Sequence, residues 1–217
     1  MILLNFKLYK ESFGDKGVAL AKIAKEVGEK YKVRIVVATS ALEAERIKRE
    51  SGVEVWIENI DGFMEGRGTG WVSGKQAMEM GIKGSLINHS EHKISKGKAE
   101  SIIKSRVKGF EIMCCSGSKG QIDKWVRRAK PDWILYEPAY LIASKESSVA
   151  KEMGENLKGI VEVSGKVPLL VGAGIKDKSD VEMSLKMGAK GVGLASAFVL
   201  SKEPRAVLED IASAFGV

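Results

Sequence analysis

Two histidines serve the whole chain, and both lie in Asn88-His89-Ser90-Glu91-His92. Imidazole is the side chain best placed to trade a proton or a hydrogen bond near neutral pH, so any histidine chemistry must happen in this one segment. It follows the apolar run Ser85-Leu86-Ile87, which has the character of a buried strand, so an imidazole and a carboxylate arrive together at a strand end. Other short apolar runs end in groups of comparable interest. Asn5 and Lys7 stand after the first run, and Glu137 follows Trp133-Ile134-Leu135-Tyr136. Gly172-Ala173-Gly174 and Ala195-Ser196-Ala197 close the last two, and residues that small allow backbone N–H groups to approach a phosphate.

The elements that must position these groups are read from the hydrophobic pattern. Eight strand candidates fall at residues 2–6, 33–38, 53–57, 84–88, 110–114, 133–136, 167–171 and 191–194. Amphipathic helical patterns fill the gaps, at residues 16–30, 41–50, 74–80, 98–107, 119–129, 149–164, 178–187 and 204–215. Ser40 and Ser118 can cap helix starts, and Gly52, Gly81, Gly165 and Gly188 stand where helices should end. Runs such as Val33-Arg34-Ile35-Val36-Val37 are nearly continuous in apolar character, as parallel strands buried on both faces are. Eight βα units with no linker predict one α/β domain over residues 1–217, a closed parallel (β/α)8 barrel. The alternative is an open doubly wound sheet, which often carries a glycine fingerprint after its first strand, where this chain has Asn5-Phe6-Lys7.

A barrel of this kind keeps its functional groups just after the strands, at one face. That rule gathers Asn5, Lys7, His89, Ser90, Glu91 and Glu137 at one mouth, opposite the two small-residue loops. Taken singly, each has a plainer reading. Lys7 could be a surface lysine at a strand end, Glu137 a polar strand terminus, and Gly172-Ala173-Gly174 a tight turn.

Composition bounds the partners. Hydrophobic residues make up 44% of the 217 and charged residues 29%, an ordinary globule able to bury a sizeable core. No apolar stretch is long enough for a bilayer, and the apolar start of the chain is too short for a signal peptide. No membrane partner and a cytoplasmic location are therefore expected. Cys114 and Cys115 are adjacent, a poor arrangement for a disulfide or a zinc site, and read as buried thiols. The formal charge of +7 comes from lysines interleaved with acids, as on solvated helix faces. No nucleic-acid partner is expected, whereas a positive field suits a small anionic substrate.

These motifs resemble those of the triosephosphate isomerase family, specifically its shorter archaeal branch. The likeness covers nearly the whole chain: Asn5-Phe6-Lys7, Gly68-Thr69-Gly70, Asn88-His89-Ser90-Glu91, Tyr136-Glu137-Pro138, Val171-Gly172-Ala173-Gly174-Ile175 and Leu194-Ala195-Ser196. It implies a TIM barrel that interconverts glycerone phosphate and D-glyceraldehyde 3-phosphate through an enediolate, in glycolysis and gluconeogenesis, with no cofactor and no metal. By that resemblance Glu137 is the base, His89 the neutral electrophile, Lys7 the stabiliser of developing negative charge, and Asn5 an orienting group. Glu91 and Ser90 support them, and backbone amides around Ile142, Gly174, Ala195 and Ser196 hold the phosphate. The Thr69 loop resembles the one that in this family reaches into a neighbouring subunit's site, which implies a homodimer or homotetramer. The chain departs from its relatives after the sixth strand, where residues 138–153 contain no glycine. Two further readings remain open: another phosphosugar-processing barrel, and an impaired relative that only binds phosphorylated metabolites.

Overall fold

The computed structural model describes residues 1–138 and 154–216 and shows eight parallel strands closed into a TIM barrel. The strands are β1 (Ile2–Asn5), β2 (Ile35–Thr39), β3 (Glu54–Ile57), β4 (Gly84–Ile87), β5 (Glu111–Ser116), β6 (Trp133–Tyr136), β7 (Leu169–Val171) and β8 (Gly191–Leu194). Around them run α1 (Gly14–Tyr31), α2 (Ala44–Ser51), α3 (Gly74–Glu79), α4 (Lys96–Lys104), α5 (Lys119–Arg128), α6 (Gly154–Ser164), α7 (Lys178–Lys186), a short α8 (Ser196–Val199) and α9 (Pro204–Ser213). Order in sequence is order in the barrel, and β8 pairs with β1 to close it.

Alternation along each strand divides the apolar residues between two cores. Leu3, Val36, Trp56, Leu86, Met113, Cys115, Leu135 and Leu170 fill the barrel interior. Ile2, Leu4, Val37, Val55, Ile87, Cys114 and Val171 face the helices, with α1 contributing Leu20, Ala24 and Val27. Both faces being covered explains the continuous apolar runs. Inside, a large side chain meets small ones: Trp56 is in register with Ala38 on one side and Gly84 on the other. A Cβ on Gly84 would lie 2.6 Å from the Trp56 ring. The expected buried thiols are found on opposite faces of β5, and burial pushes both further toward the protonated form.

The far end of the barrel is closed by a charged cap. The Arg34 guanidinium binds Glu54 at 2.6 Å and also binds Glu111, while lying 5.8 and 5.9 Å from the Trp56 and Trp133 rings. The two indole N–H groups donate to Glu54 and Glu111 respectively, so the cap is anchored in the interior packing.

Helix boundaries shift where capping chemistry differs from expectation. The Ser40 carbonyl, not its side chain, accepts from Glu43 and Ala44, so a turn precedes α2 and the expected side-chain cap is not made. Ser95 Oγ accepts from the Lys98 N–H at 3.2 Å and starts α4 earlier than expected, whereas Ser118 caps α5 as expected. The expected helix over residues 149–164 is described only from Gly154 onward. The i,i+4 pairs Lys25–Glu29, Arg49–Glu45 and Arg127–Asp123 put the mixed charge on helix surfaces, as its spacing implied. Among the described residues no helix is long and apolar enough to cross a membrane.

Because Trp56 is fully buried against Gly84 and beneath Arg34, Trp56→Ala should lower unfolding free energy by about 3–5 kcal/mol. Denaturant titration followed by circular dichroism would measure it.

Candidate active site

Strand ends at one mouth of the barrel deliver each candidate side chain. After β1 the chain turns sharply: Lys7 has a left-handed backbone at φ 48, an uncommon conformation for a residue with a Cβ. Its N–H donates to Asn5 Oδ1 at 3.2 Å, and its carbonyl accepts from the Ser12 hydroxyl at 3.1 Å. Held this way, the Lys7 ammonium reaches across the mouth to Glu91 Oε1 at 2.8 Å.

The end of β4 is built with the same device. Asn88 is left-handed at φ 58, and its side-chain amide donates to the Cys115 carbonyl on β5 at 3.0 Å. The turn buries His89 and leaves His92 exposed, which separates the two histidines. His89 Nδ1 accepts the Glu91 backbone N–H at 3.2 Å. A ring nitrogen that accepts carries no proton, so the single ring proton of this tautomer sits on Nε2. Nε2 lies 3.3 Å from Glu137 Oε2.

Glu137 follows β6, anchored by its N–H to the Ser116 carbonyl at 2.9 Å. Its side chain is 13% exposed. The contact to His89 is close but not aligned as a hydrogen bond, so Oε2 is buried with no donor. Gly172 makes room for it: a Cβ there would stand 2.7 Å from Glu137 Cγ and 2.9 Å from Oε1.

These groups border two adjoining cavities of about 520 Å³ each. Asn5, Lys7 and Tyr9 line both. The first adds Glu137, Gly174, Lys176, Ala195 and Ser196, the second His89, Glu91 and Glu58. Asn5, Lys7, His89, Glu91, Glu137, Gly174, Ala195 and Ser196 are thus brought to one mouth. Ser90 is exposed on the β4 turn, and Thr69 is exposed on a loop outside both cavities. Ile142 lies outside the described residues. Among the described residues no His, Cys, Asp and Glu side chains group to hold a metal ion.

Glu58, Tyr9 and Lys176 were missed by the sequence reading. Glu58 had a usable signal, because it is the first residue past β3, where the strand-end rule looks for function. Its Oε1 is buried without a hydrogen-bond partner. Burial pushes its carboxyl up to about 7, against the Lys7 backbone N–H and ammonium.

A closed parallel barrel with an imidazole, carboxyl groups and an ammonium gathered at the carboxyl ends of its strands has the layout of a barrel enzyme. A family model described as Triosephosphate isomerase matches residues 1–214. The chain is 35% identical to the triosephosphate isomerase of Saccharolobus solfataricus, over 97% of this chain and 93% of that one. It is 33% identical to those of Methanothermus fervidus and Methanocaldococcus jannaschii, over 97% of this chain and 96% and 98% of theirs. The chain belongs to the triosephosphate isomerase family, a family of aldose–ketose isomerases.

The space at Gly172 gives a direct test of how tightly Glu137 must be held. Gly172→Ala should displace the carboxylate and lower isomerase kcat/KM by about 100-fold, in a coupled assay, while circular dichroism still shows a folded barrel.

Proposed function

We propose that Glu137 moves the proton as the chain interconverts glycerone phosphate and D-glyceraldehyde 3-phosphate. Its carboxylate removes a proton from the carbon beside the carbonyl and returns it to the neighbouring carbon. Between the two steps an enediolate carries negative charge on oxygen. His89 donates its Nε2–H to that oxygen, the Lys7 ammonium stabilises the charge, and Asn5 orients the oxygen. Preorganised donors aimed at a developing oxyanion supply much of the rate in such reactions. Glu91 supports Lys7 through their ion pair, and Ser90 belongs to the turn that carries both His89 and Glu91.

The observation that carries this reading is the Glu137–His89 contact at 3.3 Å, with Glu137 Oε2 buried and given no donor of its own. A carboxylate kept so is a ready proton acceptor, and the histidine beside it presents the donor that a carbonyl oxygen needs. The phosphate is assigned to backbone amides of Gly174, Ala195 and Ser196, together with Ile142. Family membership favours isomerisation over a barrel that only binds phosphorylated metabolites.

The assembly is proposed to be a homodimer or homotetramer joined through the Thr69 loop. Trp71, just beyond that loop, is 57% exposed and is the large apolar side chain placed to pack there. The buried thiols suit a reducing cytoplasm.

Glu137→Gln keeps the shape of the side chain and removes the base, so kcat should fall by about 10²- to 10⁴-fold. A rate equal to that of the wild type would overturn the assignment. Sedimentation analysis should give the mass of two or four chains; the mass of one chain at all concentrations would remove the assembly proposal.

A further inference from the structure

Among the described residues, Glu58 is the one carboxyl at the mouth to which the proposed reaction gives no role. It enters from β3, between the loop that carries Lys7 and the turn that carries His89. Among the described residues, the titratable and charged groups that share its cavity are Lys7 and Tyr9 from the β1 loop, and His89, Glu91 and His92 from the β4 turn. Only one of these is permanently cationic, and that one is committed elsewhere: the Lys7 ammonium binds Glu91 at 2.8 Å. Glu58 Oε1 is meanwhile buried with no donor. The Lys7 backbone N–H and ammonium ease a charge on Glu58, but desolvation of the buried carboxyl outweighs them and favours the proton. The Glu91 charge acts in the same direction.

We propose that Glu58 is a positioning residue of the isomerase reaction, which as a neutral acid packs beside Lys7 and His89 and as a carboxylate opposes the enediolate they stabilise. The inference rests on the isomerase reading. The reaction builds negative charge on an oxygen held between Lys7 and His89, and a second negative charge behind the same two residues raises the barrier to that step. It also offers Lys7 a competing partner, drawing the ammonium from the oxygen it should serve. Burial sets the titration of Glu58 near pH 7, so the proton state of this one side chain divides a faster enzyme from a slower one across the neutral range. A merely structural Glu58 would have no such effect, because its packing is the same in both states.

The test compares kcat/KM for glyceraldehyde 3-phosphate as a function of pH in the wild type and in Glu58→Gln, whose amide mimics the neutral acid at every pH. Titration of the substrate phosphate and of Glu137 affects both proteins alike and cancels in the ratio. The ratio of variant to wild type should rise by about tenfold from about pH 6 to about pH 9, with the change in kcat rather than KM. Glu91→Gln provides an independent arm that leaves Glu58 in place. Removing the neighbouring charge and freeing Lys7 should move the wild-type limb about one unit to lower pH. A flat ratio in two active proteins, or a limb unmoved by Glu91→Gln, overturns this inference and leaves the isomerase reading standing. A wild-type protein without isomerase activity overturns both.

Discussion

The ladder between β1 and β8 brings the two ends of the chain together, and every contact across the mouth depends on it. Ile2, Leu3 and Leu4 pair with Val192, Gly193 and Leu194. Lys7, a few residues beyond this pairing, is thereby set beside Ala195 and Ser196 in one cavity. The approach is so close that a Cβ on Gly191 would collide with the Met1 carbonyl. The Met1 ammonium donates to the Lys190 carbonyl at 3.0 Å, and burial, with help from Arg34, lowers it to about 6. Contacts at this separation in sequence must overcome the entropy of closing the whole chain. The filled interior, with Trp56 against Gly84 and the Arg34 cap below, makes that closure stable enough to hold a site at its rim.

With the lower barrel this regular, departures from regularity collect at the mouth. Lys7 and Asn88 are left-handed, while Lys32 and Lys130, the other two such residues with a Cβ among those described, follow helix ends. Of the buried carboxylate oxygens without donors, Glu137 Oε2 belongs to one cavity and Glu58 Oε1 to the other, while Glu100 Oε1 lies on α4. Strained backbone and unsatisfied polar groups persist only where the surroundings over-determine them. Here hydrogen bonds from Ser12 to Lys7 and from Asn88 to Cys115 tie both turns to the scaffold. Local stability has been given up where the proposed chemistry needs a base without a partner and a cation aimed across a gap.

The architecture was legible because both of its signals are strong. Eight apolar runs separated by helical patterns leave few topologies, and the strands at residues 133–136 and 191–194 were placed to the residue. Boundaries were less legible where a backbone carbonyl replaced a side-chain cap, as at Ser40. In the site, Lys7, His89 and Glu137 could be found because a polar residue ending an apolar run is conspicuous. Glu58 ends such a run too, but Asn59 and Asp61 near it make the stretch look like an ordinary polar loop. Its burial depends on how the β1 loop and the β4 turn fold over it, which no local pattern records. Thr69 is a different case: its exposure in one chain agrees with a role across an interface, and a single chain cannot display that role.

The Lys7–Glu91 ion pair decides how such a mouth can accept an anion. At rest the ammonium is already paired, so an arriving oxygen must compete with a carboxylate for it. The competition is uneven, because the Lys7 side chain is 17% exposed and that of Glu91 is 60% exposed. A carboxylate so open to water loses little when its partner turns away, since exposed pairs contribute only about 0–1 kcal/mol. Lys7, whose backbone is fixed by Asn5 and Ser12, does not follow it outward. Glu91 therefore aims the lysine across the mouth without holding it there. Glu58 sits on the buried side of the same lysine, where water cannot dilute its charge. Two acids share a cavity with one lysine, and burial separates the one that can let it go from the one whose charge is disfavoured.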